Sequence, residues 1–216
     1  METKAFTYYH RRPLIVTIVV IIALEAAAAF ASGPWLVKIG LLRIIESIAI
    51  IGIARMFYPR ARLPGLMPAD FARGIKKGLI WSACFALGAA AGAAILLIAG
   101  YDPVKILNIS LPAKTGRILL FFLAGGIIGP VAEELFFRGV IFAALRPWGA
   151  AAAILGSSII FLLAHFSNGG IAVTQAVGGL VFAFAYEMEK NIIVPVVIHV
   201  LGNLALFATG LLPLFF

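Results

Sequence analysis

Residues 117–145 read RILLFFLAGGIIGPVAEELFFRGVIFAAL, and the way this run is threaded decides the fold. A helix of about 29 residues measures roughly 43 Å. That exceeds the roughly 30 Å hydrocarbon core of a bilayer. Pro130 lies inside the run, so a tilt, a kink or a break into two helices is expected there. Within the same run the segment PVAEELFFRG, Pro130–Gly139, places Glu133, Glu134 and Arg138 among apolar residues. Ionisable groups at bilayer depth are expensive unless they are paired, neutralised or hydrated, so each is a functional candidate.

The surrounding chain is of the same kind. It has 216 residues, 63% hydrophobic and 12% charged, and its mean hydropathy is +1.10. Soluble domains are about 45–50% apolar and about 25% charged. Besides 117–145, apolar runs lie at about 13–32, 36–53, 79–100, 150–166, 171–187 and 192–212. The expected fold is all-α, one integral membrane domain over 1–216 with seven transmembrane helices, or eight if the long run is two, around a polar cavity. The first run could pass for a signal peptide, since Ala29-Phe30-Ala31 looks like a cleavage site. Its core is long and Glu25 interrupts the end, so it reads as a retained helix.

The net charge of +8 does not point to nucleic acid, because the bases are scattered through short loops. Lys4, Arg11 and Arg12, then Arg55, Arg60, Arg62, Arg73, Lys76 and Lys77, place the N-terminus and the second-to-third connection in the cytoplasm of a multi-pass cell-membrane protein. The Pro- and Arg-rich stretch Tyr58–Asp70 is expected to be a loop on that side. Lys38, Lys105, Lys114 and Arg117 blur the opposite side. The lone Cys84 cannot form an internal disulfide.

Spacing divides the polar groups into roles. Glu134 and Arg138 are four apart and share a helix face, so they can pair and stay charged. Glu133 projects about 100° away, free of that pair and able to take a proton from water. His165 ends the run Phe161–His165, and His199 and Asn203 are again four apart on one face. A carboxylate pair, two histidines and an asparagine on three helices are the inventory for activating a water and holding an oxyanion. Gly125, Gly126, Gly129, Gly156, Gly178, Gly179 and Gly202 suit close helix packing. Arg43 and Glu46 can pair within a helix and Glu25 can meet Arg43 from another; these three read as structural.

Glu133-Glu134-x-x-x-Arg138, Phe161-x-x-x-His165 and His199-x-x-x-Asn203, in this order on apolar spans, resemble the CPBP (CAAX protease and bacteriocin-processing, or Abi) family of intramembrane proteases. The resemblance covers about 117–207; the spans before it, 1–116, match nothing specific. It implies a helical bundle, commonly of eight membrane helices, and a peptide or protein substrate with a membrane-embedded or lipidated segment. It implies that Glu133 activates the attacking water with His165. His199 and Asn203 would donate to the oxyanion, and Glu134 with Arg138 would position Glu133. Family members are often labelled metalloproteases, and Glu133, His165 and His199 could supply three zinc ligands with water as a fourth. No HExxH is present, and ligation would leave no histidine for catalysis, so a metal-free mechanism without cofactor is expected. By analogy, leader peptides, pheromones or sorting tails suit so compact a chain better than a prenylated terminus. Two other readings stay open: a non-catalytic binding or immunity protein of the same fold, and a proton-coupled carrier using both glutamates. A carrier would show related halves, whereas these groups fall in one half.

Overall fold

A computed structural model describes residues 10–59, 68–104, 109, 111–166 and 173–211. Among the described residues the protein is an all-α membrane bundle carried by seven helices: α1 Arg11–Phe30, α2 Trp35–Phe57, α3 Pro68–Ile98, α4 Thr115–Trp148, α5 Ala150–Ala164, α6 Val173–Glu189 and α7 Ile193–Thr209. The bundle is apolar outside, and its largely apolar interior encloses a small set of polar groups. Ile22, Leu87 and Ile98 are exposed, whereas Glu134, Arg138 and His199 are buried. That inversion suits lipid, where association rests on packing and hydrogen bonds rather than on hiding apolar surface.

The long run does not break, so the described residues hold seven helices rather than eight. α4 stays helical from Thr115 to Trp148 by widening twice, into π turns at Ala124–Ile128 and Leu135–Phe142. In the first, the Gly129 N–H reaches back five residues to the Ala124 carbonyl. In that register residue 130 would close on the Gly125 carbonyl. Proline has no N–H to offer, so the helix passes through Pro130 with one carbonyl left open. Such turns re-aim side chains and recur at functional sites.

The third span corrects the expectation of a basic loop up to Leu79. α3 begins at Pro68, and Arg73, Lys76 and Lys77 ride on its first turns. Proline suits a helix start, Asp70 complements the N-terminal dipole, and packing fixes the rest. A Cβ on Gly74 would come within 2.7 Å of Ile193 Cβ, and one on Gly78 within 2.6 Å of Val197 Cβ. Only glycine lets α3 lie this close to α7. Asn191 clamps the same end, donating through Nδ2 to the Asp70 carbonyl at 2.7 Å. Of the charges used for orientation, Lys4, Arg60, Arg62 and Lys105 lie outside the described residues. So do most of the Tyr58–Asp70 stretch and the limits Ile171 and Leu212 of the sixth and seventh expected spans.

α1, α3 and α4 are long and apolar enough to cross a membrane. α2 is long enough but carries Lys38, Arg43, Glu46 and Arg55. α5 has 15 residues. A helix of that length spans about 22 Å, short of the roughly 30 Å core, so its last residues and His165 just beyond end within bilayer depth.

Candidate active site

α4, α5, α6 and α7 supply the first half of the site. Glu134 and Arg138 are fully buried and paired one helical turn apart, Arg138 Nη1 donating to Glu134 Oε1 at 3.0 Å. Arg138 Nη2 donates to the Gly179 carbonyl of α6, also at 3.0 Å. Ser158 shares that carbonyl at 2.9 Å. The guanidinium lies 5.0 Å from the ring centre of Phe161 and 5.5 Å from that of Phe182, so aromatic faces flank it, while its Nε and Glu134 Oε2 are buried without a hydrogen-bond partner.

Glu134 also fixes His199, whose Nδ1 lies 2.8 Å from Glu134 Oε1. A carboxylate held ionised by arginine can only accept, so Nδ1 carries the proton and donates it. Phe182 stacks on the same imidazole at 4.5 Å between ring centres. His165 is fixed likewise: its Nδ1 donates to the Phe161 carbonyl at 2.8 Å, and its ring lies 4.4 Å from that of Phe161. Both imidazoles therefore turn Nε2 inward. Glu133 Oε2 stands 3.6 Å from His165 Nε2 and 3.7 Å from His199 Nε2. Glu133 and His165 are partly open, with side chains 21% and 28% exposed, against 5% for His199. One glutamate is thus tied and closed in, while its neighbour faces two imidazoles and space.

Asn203 lies one turn beyond His199 and donates through Nδ2 to the Gly125 carbonyl at 3.0 Å. This is the acceptor that Pro130 leaves open. One N–H of its amide is therefore engaged and the second remains.

The Glu25, Arg43 and Glu46 pairings form as spacing suggests, but the reading of these residues as apart from the site needs correction. Arg43 Nη1 donates to Glu25 Oε1 at 2.7 Å and to Glu46 Oε2 at 2.6 Å. All three line a cavity of about 250 Å³ whose wall also includes Glu133 and His165. α1 and α2 therefore build one side of the space that Glu133 faces. Sequence spacing also missed Ser158 and the Gly179 carbonyl, for which no local signal exists. Phe161 was legible as the residue one turn before His165.

The donor atoms of Glu133, His165 and His199 are of kinds that zinc takes. Yet among the described residues no three His, Cys, Asp or Glu side chains converge closely enough to hold a metal ion.

Comparison with known proteins falls on this half of the chain. Residues 115–205 match the family model described as "Type II CAAX prenyl endopeptidase Rce1-like". The "Membrane-embedded CAAX protease MroQ" of Staphylococcus aureus is 40% identical over 98 residues, 42% of this chain and 38% of that protein. The "Putative membrane peptidase YdiL" of Bacillus subtilis is 36% identical over 85 residues, 39% of this chain and 34% of that protein. The matches thus span little more than a third of either relative's length. No solved structure matches significantly. Through residues 115–205, which hold Glu133, Glu134, Arg138, His165, His199 and Asn203, the chain is similar to proteins of the CAAX protease family.

Proposed function

We propose that this protein is an intramembrane endopeptidase that hydrolyses a peptide bond in a membrane-associated peptide or protein tail, using a water activated by Glu133. One observation carries the reading: Glu133 Oε2 faces two inward Nε2 atoms, and both imidazoles are locked through Nδ1. A water within hydrogen-bond reach of Oε2 is within reach of either ring. Glu133 takes its proton as the oxygen attacks the carbonyl carbon. The oxyanion that forms is held by the second N–H of Asn203, beside the His199 ring that Glu134 fixes through Nδ1. The proton on Glu133 then passes to the amide nitrogen, directly or through His165, as the C–N bond breaks. No metal or other cofactor takes part.

Orientation follows from the charges. Arg11, Arg12, Arg55, Arg73, Lys76, Lys77, Arg146 and Lys190 gather at one end of the bundle, where His10 bonds Tyr58, Lys77 pairs with Glu189 and Arg146 with Glu187. Lys38, Lys114 and Arg117 belong to the other. The richer end, with the N-terminus, is cytoplasmic, and lipid surrounds the exposed apolar faces.

The test is hydrolysis of apolar peptides by the full chain in detergent. Wild type cleaves; Glu133→Gln and His165→Ala, folded by circular dichroism and gel filtration, do not. Undiminished cleavage by Glu133→Gln refutes the mechanism. Chelator treatment with elemental analysis checks the metal: activity that disappears with a bound ion and returns on adding it refutes the metal-free step.

A further inference from the structure

The cavity that Glu133 and His165 face is walled on its other side by α1 and α2, and its volume is about 250 Å³. That falls below the roughly 300–1,000 Å³ of sites that enclose a drug-sized ligand. Such a space takes one side chain, not a length of backbone. A peptide cut beside the partly open Glu133 and His165 therefore passes across the mouth and drops a single side chain inside. Much of the wall that this side chain meets is apolar: Ile21 of α1, Ile50 of α2 and Phe136 of α4.

One place in the wall is polar and incompletely used. Arg43 spends only Nη1 on Glu25 and Glu46. Its Nε and Nη2 make no hydrogen bond among the described residues, and neither is a buried atom lacking a partner. Both are therefore donors open to an incoming group. Glu25 spends only Oε1 on Arg43, and its side chain is 46% exposed, so Oε2 is left as an acceptor. Glu46 cannot serve in the same way, because its second oxygen is buried. Free N–H donors thus stand beside a free carboxylate oxygen. A primary amide is the neutral complement of that pattern: its carbonyl accepts and its NH₂ donates. A side chain ending in a carboxylate would suit Arg43 but meet Glu25. One ending in an ammonium would suit Glu25 but meet Arg43. An aliphatic one would strip water from both and replace none of their hydrogen bonds. The discrimination comes from two adjacent groups, so it does not depend on the protonation of His165 or His199.

We infer that Arg43 and Glu25 form a side-chain subsite beside the scissile bond, and that the substrate residue they select is a glutamine or an asparagine. The carboxamide lies between the two, with its methylene stem against Ile21, Ile50 and Phe136. The inference rests on the protease reading for its place in a substrate; the donor and acceptor pattern stands without it.

The experiment uses full-length protein in detergent and a set of fluorophore-tagged apolar peptides of one sequence. They differ by Gln, Asn, Leu, Glu or Lys at a single position, scanned along the chain. Binding is read by fluorescence anisotropy, and cleavage by mass spectrometry of the mixed set, which gives ratios of kcat/KM. At one position close to the cut, Gln or Asn is preferred over Leu, Glu and Lys by about tenfold or more, mostly in KM and binding, the scale of leaving a desolvated polar group unpaired. Arg43→Met turns the preference at that position toward Leu. Glu25→Gln, at a half-exposed position, removes the like charge, and the Glu peptide gains about tenfold on the Gln peptide. Ratios between peptides do not depend on how much protein is folded, so a purely structural role for Arg43 or Glu25 leaves them unmoved. Absence of any position that prefers a carboxamide, or a preference that Glu25→Gln leaves unchanged, overturns the inference. A carboxamide preference in binding with no peptide cut removes the protease reading and leaves the subsite standing; cutting without that preference does the reverse. No binding and no cutting removes both.

Discussion

The Glu134–Arg138 pair and the Glu25–Arg43–Glu46 group differ in closure and balance. Glu134 and Arg138 match one for one, both fully buried, among a backbone carbonyl, a histidine and phenylalanine rings. Glu25, Arg43 and Glu46 carry a surplus carboxylate, and two members are open, Glu25 by 46% and Arg43 by 24%. A closed, balanced pair is scaffold: it holds His199 and keeps Glu133 unencumbered. An open, unbalanced one faces the cavity and has donors to give. The same two residue types thus make a sealed pair on one side and a cavity wall on the other.

The largest effect expected breaks the division between the two adjacent glutamates. Glu133→Gln lowers kcat by about 10²–10⁴, the usual worth of a general base, with the melting temperature nearly unchanged. A loss of fold instead would mean that Glu133 is scaffold like its neighbour. Arg138→Met strands Glu134 in a dry interior and lowers stability by about 3–5 kcal/mol, read from denaturant unfolding in mixed micelles. Arg138→Lys does not restore it, because an ammonium cannot span both Glu134 and the Gly179 carbonyl as the planar fork does.

Asn203→Ala sharpens the boundary between fixation and chemistry. As an oxyanion donor it lowers kcat by about 10²–10³. As a helix tie alone it would remove only about 0.6–2 kcal/mol of stability and spare kcat. The smallest expected effect is on the open cluster. Glu25→Gln changes stability by less than about 1 kcal/mol, as for exposed ion pairs generally.

The sequence made the spans, the Glu134–Arg138 pair and the separate direction of Glu133 legible, because each rests on distances within one helix. Phe161 beside His165 and Asn203 after His199 follow the same four-residue rule. What could not be read depends on neighbours distant in sequence. Arg73, Lys76 and Lys77 look like a loop until Gly74 and Gly78 are seen pressed against α7. The Glu25, Arg43 and Glu46 group looks self-sufficient because its pairings are visible in spacing. Its face toward Glu133 depends on how α1 and α2 pack on α4. The two π turns, which let a proline sit in an unbroken helix, leave no hydropathy signature.

Pro130 also bears on how the molecule is put together. An earlier rod enters the bilayer with an oxygen that its own coil cannot satisfy, and the group that answers it arrives on the last described rod to be synthesised. Until α7 docks, the half-made chain lacks His199 and Asn203 while the vacant oxygen favours their arrival. The cluster around Glu133 is then completed only by the closing step of assembly.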